Sequence, residues 1–190
     1  MSPQWLAIQQ HMARLAPDIA ASLNPPATVQ DITRLQTALN LTLPPDFCAY
    51  LLTFNGQQHD NFTRGFYGYP ALLPVEEMIT TNQTLRGLLG DDAAFTGFRE
   101  NKIRGVLWSE GWVAFASFQG SELFVLDLAP AANGTVGQIF AWYHGMDLAA
   151  DDAVLADSFT AFSAALLQRL QAPDVTVDDE GTVWRDDDWY

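Results

Sequence analysis

Basic residues are scarce in this chain: its 190 residues hold 9 Lys and Arg against 23 Asp and Glu, a formal net charge of −14. Nucleic acid and anionic membrane, which are bound mainly through Lys and Arg, are therefore poor partners. Cysteine is nearly absent. The single Cys48 cannot close an internal disulfide, and it sits in an apolar helical pattern, so a buried, inert thiol and a reducing, cytoplasmic setting are expected. His11, His59 and His144 stand far apart, without the Cys or carboxylate spacing of a zinc site. No apolar run reaches the length of a membrane span. The opening MSPQWLAIQQHMARL lacks the basic region and apolar block of a secretion leader. No repeat or low-complexity linker divides the chain, and its length fits one domain with a sizeable core.

What is abundant is β-branched and aromatic sequence in the middle of the chain. The run from Gly111 to Pro130 predicts two strands of a central sheet joined by a turn at Gly120-Ser121, with Gly at the position needing positive φ. On the first strand Val113 and Phe115 alternate with Trp112, Ala114 and Ala116. Neither face is polar, so the strand should be covered on both sides. Asp127 ends the second strand before Ala129-Pro130 and is expected to cap that turn through backbone N–H groups. A turn signal at Asn133-Gly134 leads to a third strand, Gly137 to Tyr143, and Ile103 to Trp108 is expected to start the sheet.

Helices flank this meander. Ser2-Pro3 predicts a first helix with Trp5, Ile8, Met12 and Leu15 on one face, ended or kinked at Pro17. Thr28 with Asp31 predicts a capping box before Ile32, Leu35 and Leu39, closed by Asn40 in the left-handed conformation. Further helices start at the Pro44-Pro45 pair and at Pro74, and Asp157-Ser158 caps a last one with the face Phe159, Phe162, Leu166, Leu170. Gln57 to Tyr69 reads as a loop with a short strand at Phe66-Tyr67. After Pro173, Val175, Val177 and Val183 predict a small acidic hairpin that could be removed without loss of the fold. The fold class is α+β: a central, mostly antiparallel sheet with its meander at about 103–143, under N-terminal helices and one C-terminal helix. One domain is expected, its core about 5–171, with 174–190 as a hairpin extension.

Catalytic readings are weak. Ser109 in LWSEG has Leu107 where a hydrolase elbow needs Gly. Glu76-Glu77 sits in a helix's first turn, where acids complement the dipole, and Asp91-Asp92 is read the same way. The acids around Asp179 miss EF-hand spacing. No enzyme, cofactor or metal is expected.

Several signatures come in a fixed order: NPPAT before a helix, LPPDF with a later NGQ, LLPVEEM, then GWVAFASFQGSELFVLDLAPA and GQIF. In that order, from about Trp5 to Leu170, the chain resembles the SUKH superfamily, which includes the Smi/Knr-type domain of fungal cell-wall-assembly regulators. Members commonly carry Gly where Asn40 stands, Pro where Ala114 stands, and Asp or Asn where Gln119 stands. The resemblance implies an α+β fold without catalytic residues and, in bacteria, an immunity protein that neutralises a polymorphic toxin, often a nuclease. A regulatory scaffold of the fungal kind is the alternative. The structural motif residues are Trp112, Gly120, Asp127 and Pro130.

The acids are unevenly placed: Asp147 to Tyr190 accounts for −9 of the −14. A nuclease grips a polyanion through Lys and Arg, so a carboxylate-rich inhibitor can occupy the same groove. The partner expected is a basic protein. The contact residues expected are the aromatics Phe66, Tyr67, Tyr69, Trp184, Trp189 and Tyr190 with the acids Asp178, Asp179, Glu180, Asp186, Asp187 and Asp188.

Overall fold

Ser2 begins the first helix, α1 (Pro3–Leu15), in a computed structural model that describes residues 1–58, 65–66, 70–90, 101–143, 154–178 and 182–184, the last by its backbone alone. The Ser2 hydroxyl accepts the Trp5 amide, and Pro3 occupies a first-turn position whose N–H has no helical partner anyway. Trp5, Ile8 and Met12 are buried along one face. Pro17 opens a separate short helix, α2 (Pro17–Ala21).

The predicted capping box forms at the start of α3 (Val29–Leu39). Asp31 accepts from the Thr28 amide at 2.9 Å, and the Asp31 amide donates to the Thr28 hydroxyl at 3.1 Å. Asn40 closes the helix at φ 53°, ψ 44°, the left-handed conformation that Asn tolerates. Then come α4 (Pro45–Leu51), β1 (Ala71–Leu72), α5 (Val75–Leu89), β2 (Trp112–Phe118), β3 (Glu122–Asp127), β4 (Gln138–Tyr143), β5 (Val154–Ala156) and α6 (Phe159–Leu170). A hairpin of β6 (Thr176–Val177) and β7 (Val183–Trp184) follows.

The main sheet has the order β1-β2-β3-β4-β5 with every neighbouring pair antiparallel. It is apolar on both faces, as the strand sequences require. Val113, Phe115, Phe124, Leu126 and Ile139 join the main core with Trp5, Phe47, Tyr50, Phe159 and Phe162 from α1, α4 and α6. Trp112, Ala114, Leu123, Val125, Phe140 and Trp142 form a second core on the opposite face. There Trp108 meets Trp112 and Trp142 edge-on, at centroid distances of 5.5 and 5.6 Å.

Four expectations are corrected. Ile103 to Trp108 is not a strand: β1 takes the edge of β2, and this irregular segment lays Ile103, Val106 and Trp108 over the second face instead. The short strand near Phe66 lies at Ala71–Leu72, after Pro70, and Phe66 is buried in the main core. Alternation along β2 breaks at a bulge where Ala114 opposes Val125 and Ala116 opposes Phe124, so Ala116 shares the main core with Phe115 rather than the face of Trp112. The β2–β3 turn is centred one residue earlier than expected, on Gln119 (φ 51°) and Gly120 (φ 70°), with the Ser121 amide donating to the Phe118 carbonyl.

Asn55-Gly56-Gln57 joins the N-terminal helices to the sheet. Asn55 Oδ1 accepts the Val75 amide at 2.8 Å, capping α5 from a distance, because its own N-cap position, Pro74, offers no side-chain acceptor. Gln57 is fully buried; its Oε1 accepts the Leu72 amide at 2.9 Å and its Nε2 donates to Ser22 Oγ at 2.8 Å. Between them Gly56, at φ 62°, lies so close to the Leu73–Pro74 peptide that a Cβ would sit 2.4 Å from the Leu73 carbonyl carbon. Asn82 of α5 adds a second tie. Fully buried, it accepts the Ala114 amide at 2.9 Å and donates to the Ala114 carbonyl at 3.1 Å, replacing ladder bonds on β2 just beyond its pairing with β1.

Gly56→Ala combines a left-handed backbone with overpacking against a backbone carbonyl, and should lower unfolding free energy by roughly 2–5 kcal/mol in urea denaturation. The tail hairpin is not inert: Val183 is fully buried in the main core and Val175 packs against it. Truncation before Val175 should keep one cooperative thermal transition but lower its midpoint by about 5 °C, from the loss of about 2 kcal/mol of valine burial.

Candidate functional site

The expected contact residues fall into three groups. Phe66 is 2% exposed and meets Trp5 edge-on at 6.4 Å, so its ring is a core element and not a surface anchor. Asp178 is exposed beside the tail hairpin; its carboxylate accepts the Thr182 amide at 2.8 Å, and its own amide donates to the Thr182 carbonyl. Tyr67, Tyr69, Asp179, Glu180, Asp186, Asp187, Asp188, Trp189 and Tyr190, and the side chain of Trp184, lie outside the described residues.

Several basic side chains are turned to internal work. Arg34 pairs with Glu76 at 2.5 Å and with Asp31 at 3.4 Å. Arg86 donates to the backbone carbonyls of Leu39 and Glu110, tying α5 to the end of α3 and to the turn before β2. Arg104 donates to Ser109 Oγ at 3.1 Å. These cations are anchored to groups of the chain itself, while acids dominate its total charge.

Ser109 is buried, and its oxygen accepts both Arg104 and the Gly111 amide, at 3.1 and 3.2 Å. Those bonds fix the turn into β2. His11 is bonded to Arg14 at 2.7 Å on α1, and its pKa is lowered by partial burial and then by that guanidinium. Cys48 is half-buried, with desolvation and then Asp46 pushing its thiol pKa up, so little thiolate forms at neutral pH. His59, His144, Asp91 and Asp92 lie outside the described residues. Among the described residues, no three His, Cys, Asp or Glu side chains are grouped to hold a metal ion.

A cavity of about 150 Å³ lies where α1, α4 and α6 begin, lined by Ser2, Trp5, Asp46, Phe159, Thr160 and Ser163 among others. Several of its polar groups already have partners. Asp46 accepts the Thr160 amide and hydroxyl at 3.0 and 2.8 Å, neutralising the start of α6. The Trp5 indole N–H donates to Ser163 Oγ at 3.0 Å, and that hydroxyl donates to the Phe159 carbonyl at 2.7 Å.

Asp127 is the one strongly perturbed acid that the sequence singles out. It is fully buried at the end of β3, and its carboxylate accepts the Ala129 amide at 3.0 Å and Gln138 Nε2 at 2.9 Å. This is the turn-capping role expected of it. Burial outweighs those bonds and the nearby Trp112 and Arg104, raising its pKa to about 6. Gln138 completes the unit by accepting the Thr135 amide and donating to the Lys102 carbonyl, so the β3–β4 connection and the approach to β2 share one network. Sequence reasoning missed Gln138 and Asn82. For Asn82, the available signal was a polar residue four positions after Met78 on the buried face of α5.

A helix-covered antiparallel sheet, with Asp127, Gln138 and Asn82 bonded to its turns and strands, defines an α+β architecture. The sequence matches the SMI1/KNR4 family (SUKH-1) over residues 26–165, 140 of its 190 residues, and the chain belongs to that family. No curated protein matches it. All of α1 and α2, and the tail hairpin with its acids, lie outside the matched stretch. No helix among the described residues is long and apolar enough to cross a membrane.

Asp127 titrates upward on folding, so its contribution to stability is fully present below the unfolded value of 3.8 and is lost as pH rises through about 6. Urea denaturation of wild type and Asp127→Asn across this window should show the wild type losing about 3 kcal/mol relative to the variant between about pH 4 and pH 7. Parallel curves would mean that the carboxyl is not perturbed.

Proposed function

We propose that this protein is a non-catalytic immunity protein that binds a basic protein toxin, in the first instance a nuclease, and blocks it by occupying its nucleic-acid-binding surface. Membership of the SUKH-1 family is consistent with an immunity or a regulatory role. The observation favouring immunity is the charge: −14 in 190 residues, with −9 in the last 44 positions. A toxin that grips a polyanion presents Lys and Arg, and a strongly negative protein is steered onto that surface with association raised by about 10- to 1,000-fold.

The steering and the holding are separate jobs. Charges at the rim set the association rate and its salt dependence, while a few well-packed aromatic or charged groups dominate dissociation. The tail acids suit the first job. Replacing Asp178, Asp179, Asp186, Asp187 and Asp188 by Lys should slow association with the toxin by at least about tenfold and flatten its dependence on salt. The toxin is obtained by affinity capture from native cells at low and high salt, followed by mass spectrometry and a nuclease assay. A basic chain, released by salt and inhibited at one-to-one stoichiometry, supports the proposal. Stoichiometric recovery of a housekeeping complex overturns it in favour of the regulatory scaffold.

A further inference from the structure

The exposed large apolar side chains include two that stand together with an acid. In the β2–β3–β4 register Phe118 opposes Glu122, and Glu122 opposes Tyr143. Directly opposed residues on antiparallel strands share a face, with Cβ atoms about 5 Å apart. The three side chains thus form one row across the hairpin end of the sheet, aromatic, carboxylate, aromatic. It lies on the face of Phe124 and Leu126, one step beyond the part packed in the main core. Phe118 is 50% exposed and Tyr143 is 45% exposed, so the helices that bury Phe124 do not reach them.

Glu122 itself is half-buried, and desolvation raises its pKa with no hydrogen bond or cation acting the other way. Among the described residues its carboxylate has no ion-pair partner; the ion pairs found there belong to Arg34. A single exposed aromatic on a protein surface is ordinary. A carboxylate stripped of part of its water, left without a donor and flanked by two open rings, is a constellation that a cation completes.

We propose that the Phe118–Glu122–Tyr143 row is a docking site for an arginine side chain of a basic protein partner. Its guanidinium would pair with Glu122 and lie against one or both rings. Arginine fits better than lysine because its planar fork matches a carboxylate and stacks on an aromatic face, and it gives up its hydration more readily. The inference rests on the reading of a basic partner, and it adds a holding contact on the sheet to the steering acids of the tail.

The test uses the full chain and a capped tetra-arginine peptide as probe, so it proceeds whether or not a toxin is the natural partner. Titration at physiological salt, followed by amide and side-chain NMR, should give saturable shifts at Phe118, Glu122 and Tyr143 and upfield movement of the arginine methylene protons under the rings. Glu122→Gln and Phe118→Ala should each weaken this binding by about fivefold or more, at unchanged thermal midpoint. A variant with Asp178, Asp179, Asp186, Asp187 and Asp188 replaced by Asn should retain the shifts at the row. A tetra-lysine peptide should bind it more weakly. Shifts confined to the tail, or binding indifferent to Glu122→Gln, would overturn the site while leaving the immunity reading to its own experiment.

Discussion

The close approach of Gly56 to the Leu73–Pro74 peptide is the constraint on which the rest of the architecture depends. Only a residue without a Cβ, at φ 62°, lets the chain leave α4 and pass hard against the strand–helix junction of β1 and α5. Once it does so, the flanking side chains have no choice of partner: Asn55 caps α5, and Gln57 bonds Leu72 and Ser22. Backbone bonds from Asn24 to the Gly56 carbonyl and from Asn55 to the Pro25 carbonyl draw in the NPP segment as well. Two of the sequence signatures are thus the two sides of one junction. They hold the helical layer against the edge of the sheet, which is why they mark the fold and not a chemistry.

The second constraint is that the sheet is apolar on both faces. A two-layer arrangement would leave Trp112, Val125, Phe140 and Trp142 in water, so something must cover them. The chain uses Ile103, Val106 and Trp108 for this, with Leu85 and Leu89 of α5 at the margin. Backbone carbonyls around the second core are taken up by side chains: Gln138 reaches Lys102, Arg86 reaches Glu110, and Asn82 serves Ala114. Asp127 belongs to the same economy, a buried acid kept because its turn needs an acceptor for the Ala129 amide and for Gln138.

What could be read from the residues was whatever is decided locally. The caps at Ser2, Thr28 and Ser158, the left-handed Asn40 and the apolar faces of α1, α3 and α6 depend on neighbours within four positions, and each forms as the pattern predicts. What could not be read depends on competition between distant segments. Ile103 to Trp108 has strand-like composition, but β1 holds the β2 edge. The bulge at Phe115 is invisible in a run where every residue is apolar, because a one-residue slip leaves the pattern unchanged. Phe66 reads as a loop aromatic until Trp5, from the other end of the helical layer, is seen beside it.

The same division separates scaffold from recognition. The signatures that place the chain in its family are consumed in junctions, turns and core, so they carry no information about a partner. The proposed recognition draws on the tail acids and on one row of the sheet. The tail acids lie beyond the family match, and the Phe118–Glu122–Tyr143 row lies one step past the last core row of the sheet. The backbone of such a row is held by strand pairing, so less ordering is left for binding to supply. The tail charges need no such precision, because a field that steers works from a distance. In the proposed reading, the row at the sheet end holds a partner and the acids of the last 44 positions steer it.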